Sequence, residues 1–249
     1  MSALWFAARW PAPSGVHVVS TLRGEPGAGG ASQAPYGCFN LGSHVGDDPL
    51  AVAENRRILV REAALPAEPA WLAQVHGVTV ADLDEAGPHG PADAAFSRDS
   101  GKVCAILTAD CLPIVFATDT GDTVAAAHAG WRGLAAGVIE ATVRAMATRP
   151  ERLIAWLGPA IGPAHFEVGA EVREAFLRVD PGAGDVFEAN ARGRYMADLG
   201  MLARRQLEHL GITRIYGGGE CTYARADRYF SHRRDGVTGR QATLVWREA

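Results

Sequence analysis

Lysine is almost missing from this chain: of its 24 basic residues only Lys102 is not arginine. The formal net charge is −4, and no basic run or basic face stands out. That argues against a nucleic-acid groove. Arginine suits bidentate phosphate contacts, yet an Ala-, Gly- and Arg-rich composition commonly reflects nucleotide bias in a genome, so the ratio alone carries no function. There is no run of about 18 apolar residues, so no membrane span is expected. The stretch Met1 to Ala12 lacks a basic region followed by an apolar one, so no secretory leader is expected and a cytoplasmic location is. Cysteine is sparse. Cys38, Cys104, Cys111 and Cys221 are widely spaced in a chain too large to need staples, which favours reduced thiols over disulfides. No CxxC pair is present, no GxGxxG is spelled by Gly217-Gly218-Gly219, and none of the eight histidines sits in an HxH pair of the multicopper-oxidase type.

What is present is an ordinary globular balance. The chain has 249 residues, 48% hydrophobic and 21% charged, enough for one large domain with a sizeable core. Val16 to Leu22 reads as a strand, and a glycine-rich loop follows from Gly24 to Gly37. Asp48-Pro49 opens a helix with Asp48 as N-cap and Pro49 at the first helical position, running to about Ala64. Ala70 to Val75 reads as a strand ending at His76. Val103 to Thr108, Ile114 to Thr118 and Thr123 to Ala127 read as strands, and Leu134 to Ala147 as one helix. Leu153 to Leu157 is a strand, Val168 to Val179 a helix, and Asp198 caps a helix through Leu210 that Gly211 stops. Ile212 to Tyr216 and Ala242 to Trp246 complete the pattern. Strands and helices mix without strict alternation, which favours an α+β fold of mixed sheets packed by helices. No linker or repeat divides residues 1–249, so a single domain is expected.

The chemistry concentrates at the ends of these strands. His76, Cys111 and His128 each follow a predicted strand, where rigid elements present side chains to a cleft. Two imidazoles and a thiolate match the three-ligand set of a catalytic zinc. A Cys111–His128 dyad of nucleophile and base is the other chemistry these residue types allow, as is plain burial. Asp93, Asp110 and Glu220 could accept protons, orient a ligand histidine or cap turns. Arg56, Arg132, Arg233, Arg234 and Arg240 are candidate phosphate contacts, and Trp131 a candidate stacking surface.

Longer motifs run through the chain in order. They are Asn40-Leu41-Gly42-Ser43-His44-Val45-Gly46-Asp47-Asp48 with Glu54-Asn55-Arg56, then Gln74-Val75-His76-Gly77, Thr108-Ala109-Asp110-Cys111-Leu112-Pro113 and His128-Ala129-Gly130-Trp131-Arg132-Gly133. Gly158-Pro159-Ala160-Ile161-Gly162-Pro163, Phe166-Glu167-Val168-Gly169, Cys221-Thr222, Phe230-Ser231-His232-Arg233-Arg234-Asp235-Gly236 and Thr238-Gly239-Arg240 continue them. Together these resemble the YfiH-type family, also called the laccase-domain or polyphenol-oxidase family and read as purine nucleoside phosphorylases. The resemblance covers almost the whole chain. It implies a single-domain α+β sandwich with mixed sheets, similar to a YfiH or toxin-type (CNF-like) fold.

The same resemblance implies zinc, with copper as the alternative, on His76, Cys111 and His128. It implies phosphorolysis of adenosine, inosine, guanosine and methylthioadenosine, with adenosine deamination. Cys111, His128 and Asp110 become the catalytic candidates, and Asn40, Arg56, Gln74 and Arg132 the substrate-binding ones. Arg56 is the first choice as phosphate holder. The expected partners are purine nucleosides and phosphate, with no nucleic acid and no membrane, for a monomer or weak homodimer. A copper polyphenol oxidase and a Cys–His hydrolase are the rival enzymes. The chain departs from the family pattern at Thr21-Leu22-Arg23-Gly24, with Gly29-Gly30 displaced downstream, and at Ala160, where many members carry cysteine.

Overall fold

The computed structural model describes residues 4–25 and 27–248. Met1 to Ala3, at the start of the stretch read above for a leader, Pro26 in the glycine-rich loop, and Ala249 lie outside the described residues. The chain begins with β1 (Trp5–Ala7), β2 (Val16–Thr21), helix α1 (Pro49–Glu62), β3 (Ala70–Trp71), β4 (Val80–Asp82) and β5 (Ala94–Ser97). Its centre holds β6 (Val103–Thr108), β7 (Leu112–Thr118), β8 (Val124–Ala129), α2 (Trp131–Ala136), α3 (Val138–Met146) and β9 (Leu153–Leu157). It ends with β10 (Glu167–Val168), α4 (Ala170–Leu177), β11 (Phe187–Ala189), β12 (Tyr195–Ala197), α5 (Leu199–His209), β13 (Arg214–Gly217), α6 (His232–Asp235) and β14 (Gln241–Arg247). Among the described residues no helix is long and apolar enough to cross a membrane.

Two large mixed sheets lie face to face. One has the order β1-β2-β14-β6-β3 and the other β13-β9-β7-β8-β5-β4, while β10-β12-β11 forms a small third sheet. The period-2 alternation of strand side chains sorts the core into layers. From β6, Cys104 and Ile106 face the second sheet and meet Val115, Ala117, Val124, Ala126 and Trp156. From the same strand Val103, Ala105 and Leu107 face outward, onto Ile58 and Leu59 of α1. Ile114 and Phe116 of β7 and Ala125 and Ala127 of β8 face outward on the other side, under α3, α4 and α5. The layers therefore run helix, sheet, sheet, helix. Central strands buried on both faces read as continuous apolar runs, which is why their sequence shows little alternation. The result is the α+β sandwich of mixed sheets expected above.

The strands that carry the sequence motifs converge at one end. Leu112 pairs with Ala129 and Pro113 with His128 across β7 and β8, so Cys111, just before β7, emerges beside His128. Asp48 caps α1 by accepting from the Leu50 N–H, with Pro49 at the first position.

Several segments differ from the sequence reading. The strand expected to Val75 stops at Trp71. Beyond it Gln74 replaces backbone pairing, its side chain exchanging two hydrogen bonds with the Leu107 backbone, 2.9 and 2.8 Å. Strand β8 reaches Ala129, so His128 lies inside it rather than after it. The single helix expected over 134–147 starts earlier and is broken at Gly137, whose φ of 94° is left-handed and available to glycine at no steric cost.

The sheet spacing rests on small side chains such as Ala126, which is wholly buried between the two large sheets. Ala126→Leu should overpack this layer and lower stability by about 1–3 kcal/mol, measured by urea denaturation.

Candidate metal centre and the groups around it

The donor atoms of His76, Cys111 and His128 lie within 4.8 Å of one another. The two imidazoles meet edge to face, with ring centroids 4.8 Å apart. Among the described residues these three form the one group of three or more His, Cys, Asp and Glu side chains close enough to share an ion.

Asp93, just ahead of β5, organises two of the three. It is wholly buried. Its carboxylate accepts from three successive backbone N–H groups, those of Val75, His76 and Gly77, at 3.1, 2.8 and 2.6 Å. The same carboxylate takes Nδ1 of His128 at 2.9 Å, and the Asp93 carbonyl takes the His128 backbone N–H at 2.7 Å. A carboxylate on Nδ1 fixes the tautomer that leaves Nε2 free for an ion. The three-amide cradle holds His76 at φ 61°, a left-handed conformation uncommon outside glycine. Burial opposes the charge on Asp93 most strongly. Hydrogen bonds from His128, Gly77 and Val75 nevertheless outweigh it and bring the carboxyl down to about 2.

Burial alone would raise the Cys111 thiol, but His128 and then His76 overcome it and bring it down to about 6. His128 is pulled down by burial and pushed up more by Cys111 and Asp93, to about 9. A thiol held near its anionic form, beside an imidazole whose second nitrogen is free, is the donor set that zinc prefers. Gly130 completes the cradle. A Cβ there would sit 2.8 Å from Cys111 Sγ and 3.3 Å from His76 Cδ2. The residues thus fit a bound metal.

The sequence-derived substrate residues fall around this centre in different ways. Asn40 is wholly buried and its amide is fully engaged: Nδ2 donates to Gly42 O and Asp47 Oδ2, while Oδ1 accepts from the Gly42 and Arg240 N–H groups. Gln74 is tied to Leu107 as described. Both therefore brace the site's walls. Arg56 donates Nε and Nη2 to Leu41 O and stacks 4.2 Å over Trp71. Arg132 stacks 4.5 Å over Trp131 and has no ion-pair partner among the described residues. Arg234 is spent on structure, binding the carbonyls of Thr222, Tyr223 and Tyr229 and the Asp235 carboxylate. Glu220 pairs with Arg228 at 3.2 Å. Asp110 is buried, and its carboxylate takes Thr222 Oγ1 and the Arg233 N–H, both at 2.7 Å.

Arg240 is one of the five arginines that the sequence offered, ranked there behind Arg56. Its Nη1 donates to Thr238 O and Gly239 O. Burial lowers its pKa, while the charges of Cys111 and Asp110 oppose that lowering. A Cβ on Gly42 would stand 2.8 Å from Arg240 Cγ, so glycine lets the arginine stem pass. Burial, then Arg240, then Arg56 lower the pKa of His44. Arg56 and Arg240 thus make a cationic corner around His44, whose imidazole their charges and its burial hold neutral.

Residues 21–248 match the family described as multi-copper polyphenol oxidoreductase laccase. The chain belongs to that family. It is 50% identical over 239 residues to a protein named purine nucleoside phosphorylase YfiH from Escherichia coli (strain K12), covering 96% of each chain. It is 51% identical over 243 residues to a purine nucleoside phosphorylase of Pseudomonas aeruginosa, covering 97% of this chain and 98% of that one. Among solved structures, a Neisseria meningitidis protein of the DUF152 family is similar at a TM-score of 0.93 and 45% identity, over 99% of this chain and 100% of that one. YlmD from Geobacillus stearothermophilus is similar at 0.91 and 31%, over 100% and 98%.

Asp93→Asn should weaken metal binding by about 10–100-fold, because an amide cannot accept from His128 and three backbone N–H groups with the same charge. Competition against a chromogenic chelator measures this. Gly130→Ala should give a comparable loss while the melting temperature changes little, since its closest clash is with Cys111 Sγ and its φ of −63° is one alanine adopts.

Proposed function

We propose that this chain is a cytoplasmic, zinc-dependent purine nucleoside phosphorylase whose single catalytic domain spans residues 1–249. Its substrates are adenosine, inosine, guanosine and methylthioadenosine with phosphate, and adenosine deamination is a second activity. The reading is carried by one coincidence: full-length similarity to proteins named purine nucleoside phosphorylases falls on a three-donor cluster flanked by a cationic corner.

Phosphorolysis needs phosphate held in line with the anomeric carbon while positive charge grows on the sugar. Two guanidiniums suit a phosphate by charge-assisted, paired N–H donors. Arg240 uses only Nη1 on the protein, which leaves Nε and Nη2 for a ligand. Arg56 uses Nε and Nη2 on Leu41 O, which leaves Nη1. We therefore assign phosphate to Arg240 and Arg56 together, with Arg132 at the rim. His76, Cys111 and His128 would hold the zinc, which supplies Lewis acidity toward an oxygen of substrate or water. Asp93 keeps His128 in the ligating tautomer, and Asn40 holds the backbone of Arg240 through its N–H at 2.8 Å.

Incubated with inosine and phosphate, the protein should release hypoxanthine and ribose 1-phosphate, and base release should nearly stop when phosphate is omitted. With adenosine, inosine should appear regardless of phosphate. A polyphenol oxidase would instead consume oxygen with a phenol and need copper, and a Cys111 hydrolase would release base without phosphate. Chromatography beside an oxygen electrode separates the three. Phosphate-independent base release, or copper-dependent oxygen uptake alone, overturns the assignment.

Arg240→Ala should raise the KM for phosphate about tenfold or more, the loss of one charge-assisted contact of about 1.5–3 kcal/mol. Arg56→Ala should do the same. An unchanged phosphate KM in either variant removes that arginine from the subsite.

A further inference from the structure

We propose that Asp110 is a positioning residue that couples the metal centre to the segment from Thr222 to Arg240, so that metal uptake and docking of that segment are one event. The inference rests on the metal-centre reading above.

Three observations carry it. First, Asp110 stands at φ 94° and is buried. That backbone region is strained for any residue with a Cβ, and such a residue persists where its surroundings over-determine it. Secondly, its three acceptor oxygens are held by different parts of the chain. One carboxylate oxygen takes Thr222 Oγ1 at 2.7 Å and the other takes the Arg233 N–H at 2.7 Å. Its carbonyl takes the Ile161 N–H at 2.9 Å. These donors sit 112 and 123 residues away for the side chain. Thirdly, the next residue is Cys111, so any adjustment of the thiolate is passed through the Asp110 backbone to all three tethers.

The tethered segment is also braced from within. Ser231 caps α6 by accepting from the Arg234 N–H at 3.2 Å. Arg234 reaches back to the carbonyls of Thr222, Tyr223 and Tyr229. A body braced in this way moves as one piece when its anchor moves. Further anchors are the bond from the Arg240 N–H to Asn40, at 2.8 Å, and those from the Thr222 N–H to Ala160 O, the Arg23 N–H to Arg228 O and the Leu41 N–H to Arg240 O. The segment delivers Arg240 to the cationic corner, so its docking sets where phosphate is held. With both oxygens already engaged by neutral donors, Asp110 is built as a tether rather than as a proton-transfer group.

The test compares Asp110→Asn, Asp110→Gly and Thr222→Val with the wild type, each first shown to be folded by circular dichroism. Glycine relieves the positive φ but removes both side-chain tethers. Asparagine keeps one acceptor and turns an amide N–H₂ toward one donor. Valine removes the Thr222 donor without touching the ligands or Asp110 itself, and so serves even if the Asp110 variants fail to fold. Two quantities are read: zinc affinity by chelator competition, and amide hydrogen exchange across residues 222–240 with and without zinc. In the wild type zinc should slow exchange in this segment about tenfold or more. Asp110→Asn and Thr222→Val should lose that protection and bind zinc about tenfold more weakly, and Asp110→Gly should do so most. A wild type that binds zinc with no change of exchange in this segment overturns the proposal. So do variants that lose kcat at unaltered zinc affinity, the signature of an acid or base. A wild type that takes up no zinc overturns the metal-centre reading itself, and with it the coupling.

Discussion

A carboxylate withdrawn wholly from water must be met by donors on every side, and Asp93 meets that demand with three consecutive amides and an imidazole. The geometry of the metal centre follows from this one requirement. The amides come only from a tight turn, so His76 is held in a left-handed conformation beside its partners. The imidazole is turned by its Nδ1, so its Nε2 faces His76 and Cys111. An unpaired buried charge carries a penalty of several kcal/mol. The same bonds that avoid that penalty therefore fix two of the three side chains that could hold an ion.

The rest of the fold exists to bring the third ligand and the cationic corner to that place. Strands β7 and β8 put Cys111 beside His128 by register. Gly130 allows the backbone to pass close to Sγ, and Gly42 allows the Arg240 stem to pass over the loop of Asn40. Asn40 and Asp110 then play the same part at two positions. Each is a buried polar residue whose side chain captures a backbone N–H of the distant segment that carries Arg233 and Arg240. The site is thus assembled from chain segments far apart in sequence, joined by side chains that are saturated by the protein itself.

This division of labour marks what was legible in the sequence. The Asp48-Pro49 start of α1, the apolar strands β6, β7 and β9, and the Asp198 cap of α5 were readable because their signals are local. The ligand residues were nameable as residue types, and the family resemblance placed them. The end of the strand near Trp71 was not legible. There a side-chain amide, Gln74, takes over the pairing that backbone groups would make. The break at Gly137 was likewise hidden in a continuous helical pattern.

The sequence by itself determined the supply of parts: two imidazoles and a thiol near strands, capped helices, apolar strands and arginine in place of lysine. It did so because caps, turns and periodicity depend on neighbours a few residues away. Only the tertiary structure decided which polar residues serve the site and which serve the fold. Asn40, Gln74 and Arg234 are engaged by other groups of the chain, while Arg240 keeps Nε and Nη2 free. The physical reason is that a hydrogen-bonding group is available to a substrate only when the folded chain has not already used it, and the partners that use it here lie up to 200 residues away.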